Sequence, residues 1–548
     1  MKRIVYLAVA ALLAAGCSLK ETPASNVTRD SFYKNVDQCN SALRASYTPL
    51  QYIYCTNFML AVEACTDIWT CYSSSGDAYL DISPANPGIG NAVWKYGYIG
   101  VMRSNECVDR ILACPLPDEQ KMPLAAEARA MRAMYYYILT CFFGDVPFYT
   151  CPVTDVETME RIRSLPRTDA QQIRKELYND LKDNALPYFT AENGYRVRAN
   201  QVSNDHAGFA LTAMLMAKFA MWNRDYPGAL DAIAQLEDVY GEFTEAAFPL
   251  ADTRWSVKNP DETIFEYRHE WSATGTKFAG NVAATMMPRC EGNGIYDGVF
   301  MPDFALNGTT WSPLKATKHF SYFHSSGLKN AKDATTKNSL FNNVPMKFSG
   351  EVYNEKSYKG VIDLEAISSG KAWGEPLDRR TVYVLGMGNL ENGETFTTLS
   401  NLGVLYPGPK FWCSNMTSTY DSNNYRIFRY ADAILMAAEC CVMTDEMEKA
   451  LSYLNMVRRR AGLADLASYT GSEDLMREIQ NERAKELGGE FHRKFDLVRW
   501  GIWYEQTSKF NDQPKLKSRI RPCHRYYPIP DTECALSGYV LTNDEYSE

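Results

Sequence analysis

The spacing of apolar residues changes twice along the chain, and it divides the sequence into two helical stretches around an irregular middle. Between positions 124 and 142, apolar side chains recur at intervals of 4, 3, 4, 3 and 4 residues, which places them on one face of a helix. Pro123 is typical of a first helical turn and Gly144 of a helix end, so the pattern predicts a helix between these two residues. The residues on its apolar face are Leu124, Ala128, Met131, Tyr135, Ile138 and Phe142.

Two other segments are similar to the corners of tetratricopeptide repeats, where small residues let two helices approach closely. Residues 224–233 join helical patterns over 205–222 and 227–240, and residues 445–454 form a second such corner. The repeats are degenerate, so we expect a packed scaffold of helix pairs rather than an open solenoid.

The helical period is lost between residues 241 and 424, where Gly, Asn, Ser and Thr become frequent. Only short strand-like pieces stand out there, such as 263–267 and 381–385. A loop region of this length is either functional or disordered, and its many Trp and Tyr residues argue against disorder. We therefore interpret the region as an ordered, loop-rich insertion.

These patterns predict a mainly α-helical fold with degenerate tetratricopeptide-type helix pairs and a large irregular insertion that contains short strands. The predicted parts are an N-terminal helical arm (26–240), a loop-rich region (241–424) and C-terminal helices that complete the body (425–548). A chain of 548 residues is long enough for several domains, but the return of the helical period favours one body split by an insertion.

The N-terminus carries a predicted export signal. Lys2 and Arg3 precede an apolar run over residues 4–15, which is too short to span a bilayer and is followed by Gly16 and Cys17. This arrangement resembles a bacterial lipoprotein cleavage site, so we predict a signal peptide at 1–16, lipidation of Cys17 and a tether at 17–25. The alternative is an ordinary signal peptide with an incidental cysteine. The prediction places the folded body in water, held to a membrane by lipid.

Composition narrows the possible partners. The 57 Lys and Arg residues against 66 Asp and Glu give a formal net charge of −9, and no basic stripe is apparent that would support nucleic-acid binding. The chain contains 35 Tyr, 24 Phe and 10 Trp, which suits either a large aromatic core or recognition of amphipathic ligands.

Metal and cofactor chemistry receives no support from the sequence. The six histidines form no His-Glu-x-x-His motif, and the 14 cysteines other than Cys17 form no Cys-x-x-Cys pair. We predict no metal site and no cofactor, and the disulfide pairing stays open.

Several motifs follow one another in a fixed order along the chain, at 125–137 with 143–147, 259–266, 429–439, 479–487, 495–501 and 527–530. Together they are similar to the SusD/RagB family, the surface lipoproteins of Bacteroidetes-type nutrient uptake systems. Each motif alone is weak, but their order and spacing cover nearly the whole chain. The chain departs from the family pattern at Gly489-Glu-Phe-His-Arg493, where Glu-Gly-x-Arg is common, and its closing aromatic segment is reduced to 538–543.

The resemblance implies a non-enzymatic lipoprotein of the outer membrane, facing the cell surface. Such a protein binds oligosaccharide and delivers it to a TonB-dependent, SusC-like transporter in the same membrane. RagB-like relatives bind peptide instead, so peptide uptake is the alternative within this class.

Charged residues in these motifs have two possible interpretations. Glu482 and Glu486 lie four residues apart on one helical face and could form an acid/base pair. Arg and Lys neighbours favour the other interpretation, in which they are ion partners between helices. The residues that we interpret as buried or half-buried ion partners are Arg129, Arg132, Glu482, Arg483, Glu486, Asp496 and Arg499.

The resemblance implies that the ligand site lies on loops of the irregular region, which makes 241–424 the predicted ligand-binding region, and on a loop of the first arm. Sugar rings pack their C–H faces on aromatic rings while their hydroxyls bind polar side chains, so aromatic and polar residues on these loops are the candidates. A turn-rich loop of the first arm supplies Asp67, Trp69 and Tyr72, where no helix is expected to bury the aromatic rings. Trp94 and Tyr98 belong instead to a helical stretch that ends near Asn105, so we interpret them as core. The opposing candidates in the insertion are Trp271, Arg289, Asn293, Tyr296 and Trp311.

Two function classes compete with a binding lipoprotein. A secreted glycoside hydrolase would need two carboxylates flanking a cleft, and neither that arrangement nor a Gly-x-Ser-x-Gly motif has a signature here. A tetratricopeptide scaffold that binds only protein would show a regular groove instead of a long loop insertion.

Overall fold

The computed structural model describes two long, nearly continuous parts of the chain and short pieces of the insertion between them. The described residues are 32–71, 75–203, 206–270, 279–286, 295–296, 299–300, 314–317, 319–320, 346–354, 357–362, 378, 380, 382–385, 403–406, 408–411, 413 and 419–547. The predicted signal peptide, tether and lipidation site at Cys17 lie outside these residues.

The first arm is built from helices that pack around one long central helix. That central helix, α5 (Asp118–Phe143), packs lengthwise against α4 (Gly90–Leu112). Gly97 of α4 allows this approach, because a Cβ atom there would lie 2.8 Å from the Leu139 side chain of α5. The helices of this arm are α1 (Val36–Tyr47), α2 (Leu50–Ile53), α3 (Thr56–Glu63), α4 (Gly90–Leu112), α5 (Asp118–Phe143), α6 (Val156–Arg163), α7 (Ala170–Asn184), α8 (Phe209–Trp222) and α9 (Tyr226–Tyr240).

The start of α5 corrects one sequence-based expectation. The helix begins at Asp118 rather than at Pro123, because Pro117 and the acidic residues Asp118 and Glu119 form a favourable first turn upstream. Pro123 therefore lies inside the helix, where it leaves the carbonyl of exposed Glu119 to water. The predicted end is confirmed, since Gly144 follows the helix with a φ of 73°.

The second arm repeats the helix-pair arrangement. Its elements are α11 (Tyr430–Met443), α12 (Met447–Arg460), α13 (Ser472–Leu487), α14 (Arg493–Arg499), α15 (Trp503–Phe510), α16 (Pro514–Arg519) and α17 (Asp531–Leu536). The pairs α8–α9 and α11–α12 pack next to each other through α9 and α11. The mainly helical fold is therefore confirmed, and the assignment to tetratricopeptide repeats stays a prediction.

The two helix pairs turn in the same way. In the first turn, Asp225 N donates to Ala220 O at 2.9 Å and Arg224 adopts a φ of 59°. In the second, Glu446 N donates to Cys441 O at 2.7 Å and Asp445 adopts a φ of 63°. Each turn therefore closes with the same left-handed helix cap, although neither uses the glycine that this conformation favours.

Strands connect the insertion to the arms and to itself. Strands β2 (Thr263–Tyr267) and β10 (Tyr425–Arg429) form an antiparallel pair that joins its two ends, and β1 (Trp69–Cys71) pairs with β5 (Leu314–Ala316). The remaining strands are β3 (Ile295–Tyr296), β4 (Val299–Phe300), β6 (Met346–Asn354), β7 (Ser357–Ile362), β8 (Val382–Leu385) and β9 (Gly403–Tyr406). They form a four-stranded sheet in the order β3-β4-β7-β6 and a β8–β9 pair.

The insertion also contains a short helix that the sequence pattern does not predict. Helix α10 (Val282–Met286) is fully buried, and the Asp421 carboxylate accepts a hydrogen bond from Ala283 N at 3.0 Å at its start. Burial raises the pKa of Asp421 to about 6 against the opposing backbone hydrogen bonds. This carboxylate therefore ties α10 to the segment that leads into β10.

One large apolar core extends through both arms, and smaller apolar clusters lie beside it in the described residues. The large core includes residues from Leu50 in the first arm to Leu541 near the C-terminus, with Tyr135 and Tyr136 of α5 fully buried at its centre. Trp94 is buried edge-to-face on Phe143 at 5.1 Å between ring centroids, as predicted for a core residue. Its helix α4 continues to Leu112, beyond the predicted end near Asn105.

Candidate functional site

The pairing of β1 with β5 joins the predicted first-arm loop to the insertion. The strands are antiparallel, with Trp69 opposite Ala316 and Cys71 opposite Leu314. Cys71 is the last described residue before Tyr72, and Leu314 is the first strand residue after Trp311. The chain segments that carry these two predicted ligand residues therefore leave from the same end of one ladder, which we call the β1–β5 ladder.

Trp69 forms part of the interior of this ladder. Its side chain has no exposed surface, and its ring packs edge-to-face on Phe320 at 5.5 Å between centroids. The expectation that the loop leaves this ring uncovered is therefore wrong, because β5 and the residues after it close over it. Contact between Trp69 and a ligand stays a prediction, and the described surroundings give the ring a supporting position beneath the ladder.

Asp67 is also buried and already has a partner. Its carboxylate accepts two hydrogen bonds from Arg493 of α14, at 2.8 and 2.7 Å, and the residue is 2% exposed. Such a two-point ion pair fixes both side chains in orientation. Asp67 therefore links the start of the ladder to the C-terminal helices, and a role in ligand binding stays a prediction.

The turn between α15 and α16 holds the backbone of β1 and of the residues just before it. The sequence patterns do not indicate this contact. The Asn511 side-chain amide donates to the carbonyls of Ala64, Thr66 and Trp69 at 2.9, 2.8 and 2.9 Å. Gln513 donates to the Cys71 carbonyl at 2.5 Å. These contacts link residues more than 400 positions apart, and no local pattern around Asn511 signals them.

Of the other predicted ligand residues, Tyr296 lies within the described residues. Tyr296 belongs to β3, where its backbone lies opposite Val299 of β4. The remaining candidates, Tyr72, Trp271, Arg289, Asn293 and Trp311, lie outside the described residues.

The predicted ion partners between helices are confirmed. In the first arm, Arg129 and Arg132 of α5 both bind Asp180 of α7 at 2.6 Å. In the second, Arg483 of α13 binds Asp432 of α11 at 2.9 Å and Asp496 of α14 at 2.8 Å. Arg499 binds Glu439 of α11 bidentately, with Nη2 at 2.8 Å from Oε2, and it also pairs with Asp496.

Glu486 lies at the centre of a buried cluster of charges. It pairs with Arg429 at 2.5 Å, with Arg380 at 2.9 Å and with Arg460, and it is 1% exposed. Burial alone would raise its pKa, but the arginines outweigh this effect and hold the pKa well below the usual range. A carboxylate held ionised in this way does not serve as a general acid.

The same cluster anchors the insertion to the helical body. Arg380 binds Glu482 at 2.7 Å, and Lys410 binds Glu490 at 2.6 Å, so cations of the insertion meet carboxylates of α13 and the residues after it. Arg429 completes the cluster from the end of β10, where it binds Glu262 and Glu490 at 2.8 and 2.7 Å. The arrangement is structural: each carboxylate of the Glu482–Glu486 pair faces arginine side chains.

An open groove lies elsewhere, between α9 and α12. It has a volume of about 380 Å³, and Phe243, Tyr430 and Tyr453 contribute aromatic surface to it beside Glu237. Burial raises the pKa of Glu237, whose carboxylate is hydrogen-bonded to Tyr453. The groove shares no element with the β1–β5 ladder, so it is separate from the predicted ligand site.

No group of three or more His, Cys, Asp or Glu side chains in the described part of the chain is arranged to hold a metal ion. Within the same residues, no helix combines the length and apolarity that crossing a membrane requires.

Comparison with known families matches both arms of the chain. Residues 406–546 match the family described as the SusD family, and residues 23–203 match a SusD-like family described as "Starch-binding associating with outer membrane". These two ranges include α13, α14 and the first-arm loop that forms β1.

Individual relatives agree along most of the chain. The SusD-like protein P25 of Formosa agariphila is 27% identical over 489 residues, which cover 86% of this chain and 81% of that protein. A solved "Laminarin binding SusD-like protein" superposes with a TM-score of 0.64 at 20% identity, covering 92% of this chain and 98% of its own. Surface glycan-binding protein A of Bacteroides thetaiotaomicron, solved with laminarihexaose, gives a TM-score of 0.60 at 19% identity over 92% and 98% of the two chains.

The fold, the order of its motifs and the two family matches agree. The helical body is that of the solved SusD-like proteins, and the family signatures lie on the helices that hold the ladder and the buried charge cluster. The chain belongs to the SusD/RagB family.

Proposed function

We propose that this protein is a non-enzymatic surface lipoprotein that binds oligosaccharide and delivers it to a SusC-like, TonB-dependent transporter of the outer membrane. The observation that carries the proposal is the β1–β5 ladder. The chain segments that carry Tyr72 and Trp311 both leave from the same end of this ladder. An aromatic residue from each segment would give a pyranose ring two flat surfaces to pack against.

The buried residues next to the ladder support this site indirectly. Trp69 and Asp67 form its floor, and Asn511 and Arg493 fix that floor to the C-terminal helices. A rigid floor reduces the loss of conformational entropy that occurs when the binding loops become ordered around a ligand. In this proposal, Tyr72 and Trp311 contact the sugar directly, together with Trp271, Arg289, Asn293 and Tyr296 from the insertion.

A non-catalytic role agrees with the surroundings of the strongest acid/base candidates. Glu482 and Glu486 are each 1% exposed and surrounded by arginines, so neither can reach a glycosidic bond. We propose that hydrolysis of the glycan, where it occurs, is carried out by other proteins of the uptake system.

Membrane attachment and delivery complete the proposal. Lipidation of Cys17 would hold the body at the outer membrane, where one matching family description places its members. The transporter partner is testable by purification of the lipidated protein from its native outer membrane, with mass spectrometry of stoichiometric partners. A TonB-dependent transporter is expected at a ratio near one to one, and its absence would contradict the delivery step.

The ligand class is tested by isothermal titration of the mature chain with laminarihexaose, maltohexaose and a mixture of short peptides. Saturable binding of an oligosaccharide, with peptides inert, is the expected result. Binding of peptides alone would support the RagB-like alternative and would refute the sugar-binding role.

A further inference from the structure

One segment of this acidic protein carries a strong local excess of positive charge. Residues 509–525 contain six Lys and Arg residues and one acidic residue, Asp512, whereas the whole chain has a net charge of −9. The segment covers the end of α15, α16 and the turn after it. Its basic residues are Lys509, Lys515, Lys517, Arg519, Arg521 and Arg525.

This basic segment is attached directly to the β1–β5 ladder. Asn511 and Gln513, which hold the β1 carbonyls, lie between Lys509 and Lys515 in the chain. The two lysines therefore lie on either side of the turn that supports the ladder, and the hydrogen bonds of Asn511 and Gln513 hold the chain between them.

The Phe510 ring lies between Lys509 and a residue that follows β5, the second strand of the ladder. His319, three residues after β5, stacks on Phe510 at 3.6 Å between centroids and an interplanar angle of 14°. The Lys509 ammonium lies 4.9 Å from the centroid of the same Phe510 ring. The ammonium, the Phe510 ring and the imidazole thus form one cluster beside the residues that cover Trp69.

The ammonium groups of three exposed lysines contact rings or backbone. Lys515 Nζ lies 5.1 Å from the centroid of the Tyr79 ring, and Lys517 Nζ donates to the Lys509 carbonyl at 3.4 Å. Lys509, Lys515 and Lys517 are all exposed. Two ion pairs lie at the other end of the segment, where Arg519 binds Asp81 at 3.3 Å and Arg525 lies 3.9 Å from Glu545.

We propose that this basic segment binds an anionic oligosaccharide, one that bears sulfate esters or uronate carboxylates, at the β1–β5 ladder. The inference rests on the proposed function, and it names the ligand class of that site. Exposed ion contacts are individually weak because water and salt screen them. Three exposed lysines therefore bind best to a ligand that carries several negative charges along its own length. A charged polysaccharide fragment has this property, and a neutral glucan does not.

The test compares matched neutral and anionic glycans. The mature chain is titrated calorimetrically with laminarin and with chemically sulfated laminarin of the same length, at low and at physiological salt. Two triple variants are titrated beside it: Lys509→Gln/Lys515→Gln/Lys517→Gln, and a control that replaces exposed lysines elsewhere, Lys34→Gln/Lys175→Gln/Lys182→Gln. Thermal unfolding confirms that both variants fold.

The expected result is tighter binding of the sulfated form, weakened by salt. The 509/515/517 variant should bind sulfated laminarin roughly tenfold more weakly than wild type and should bind neutral laminarin unchanged. The control variant should bind both glycans like wild type. Equal affinity for both glycans, or no change in the 509/515/517 variant, would overturn the inference while leaving sugar binding intact. If neither glycan binds at any salt concentration, both the inference and the proposed function fail.

A parallel arm separates the glycan from a membrane surface. Vesicles of phosphatidylglycerol and phosphatidylcholine are added to the same three proteins in a sedimentation assay. Vesicle binding that depends on Lys509, Lys515 and Lys517, without a preference for sulfated laminarin, would assign the segment to lipid headgroups and would overturn the proposal.

Discussion

Arg493 of α14 clamps Asp67 at the start of the β1–β5 ladder, with Nε and Nη2 at 2.8 and 2.7 Å from the two carboxylate oxygens. The two residues are 426 positions apart in the chain and both are buried. The pair joins the first-arm loop to the helices that carry the family signature, so the candidate ligand site depends on the C-terminal arm for its shape.

Loss of one partner of this pair should destabilise the fold. Asp67→Asn leaves the buried Arg493 guanidinium without its counter-ion, and we expect the free energy of unfolding to fall by about 3 kcal/mol. Urea denaturation measures the change, with Asp37→Asn on the exposed face of α1 as a control that should change little. Unchanged stability in Asp67→Asn would contradict the supporting role assigned to this carboxylate.

The charge cluster around α13 and α14 makes a second prediction, which concerns acid. Burial alone would raise the pKa of Asp496, but Arg483 and Arg499 outweigh it and lower the pKa to about 2. A carboxyl group with a depressed pKa stabilises the fold above its unfolded value and loses this effect as the pH falls toward the folded value. This contribution, about 2 kcal/mol, should therefore disappear between about pH 4 and pH 2.

The variant Asp496→Asn isolates that contribution. Its free energy of unfolding should lie below the wild-type value at pH 6, and the gap should narrow as the pH approaches 2. Chemical denaturation at a series of pH values measures both curves. Parallel curves over the whole range would show that Asp496 does not carry the acid sensitivity.

Lys494 gives a prediction at the opposite end of the pH scale. Its ammonium group is buried between the rings of Trp503 and Tyr527, at 5.2 and 4.8 Å from their centroids, and forms no hydrogen bond among the described residues. Burial lowers its pKa from 10.5 to about 8. The folded state therefore binds fewer protons than the unfolded state between these values, so stability rises with pH there.

Replacement of this lysine should remove the effect. Lys494→Met keeps most of the length of the side chain without the charge, and we expect it to raise the free energy of unfolding at pH 7 by up to about 3 kcal/mol. The difference from wild type should shrink between pH 8 and 10.5. Lys182→Met, an exposed substitution, provides the control; a difference that is constant with pH would contradict the assigned pKa.

The outer-membrane anchor is tested by Cys17→Ser. The variant should be exported and recovered in the soluble fraction, because it lacks the only predicted attachment site for lipid. Cys151→Ser, at a half-buried thiol, is the matched control and should stay with the membrane. Retention of Cys17→Ser in the outer-membrane fraction, measured by fractionation and immunoblotting, would refute the lipid anchor.

Local patterns in the sequence predicted the helices and the chemical type of their charged partners well. The face from Leu124 to Phe142 is buried, and Gly144 ends its helix, because helical spacing is a short-range property. Arg483 and Arg499 are ion partners as predicted, since an Arg in a helix with carboxylates nearby signals pairing.

Long-range pairing set the limit of prediction at the candidate site. Trp69 lies in a polar, turn-rich stretch, and it is buried by distant residues, among them Ala316, with which it pairs, and Phe320, which packs on its ring. The hydrogen bonds of Asn511 are also long-range, and a single Asn in a loop does not indicate that its side chain binds three distant carbonyls. Strand pairing between distant segments depends on tertiary packing that a local pattern does not encode.

The most direct measurement of the central claim is glycan binding by variants at the β1–β5 ladder. Calorimetric titration compares wild type, Tyr72→Ala, Trp311→Ala and the control Tyr539→Ala, which removes a ring that is 72% exposed and distant in sequence from the ladder. We predict that Tyr72→Ala and Trp311→Ala each weaken oligosaccharide binding roughly tenfold, as loss of one ring contact would, while Tyr539→Ala binds like wild type. Undiminished binding in both Tyr72→Ala and Trp311→Ala would contradict this prediction.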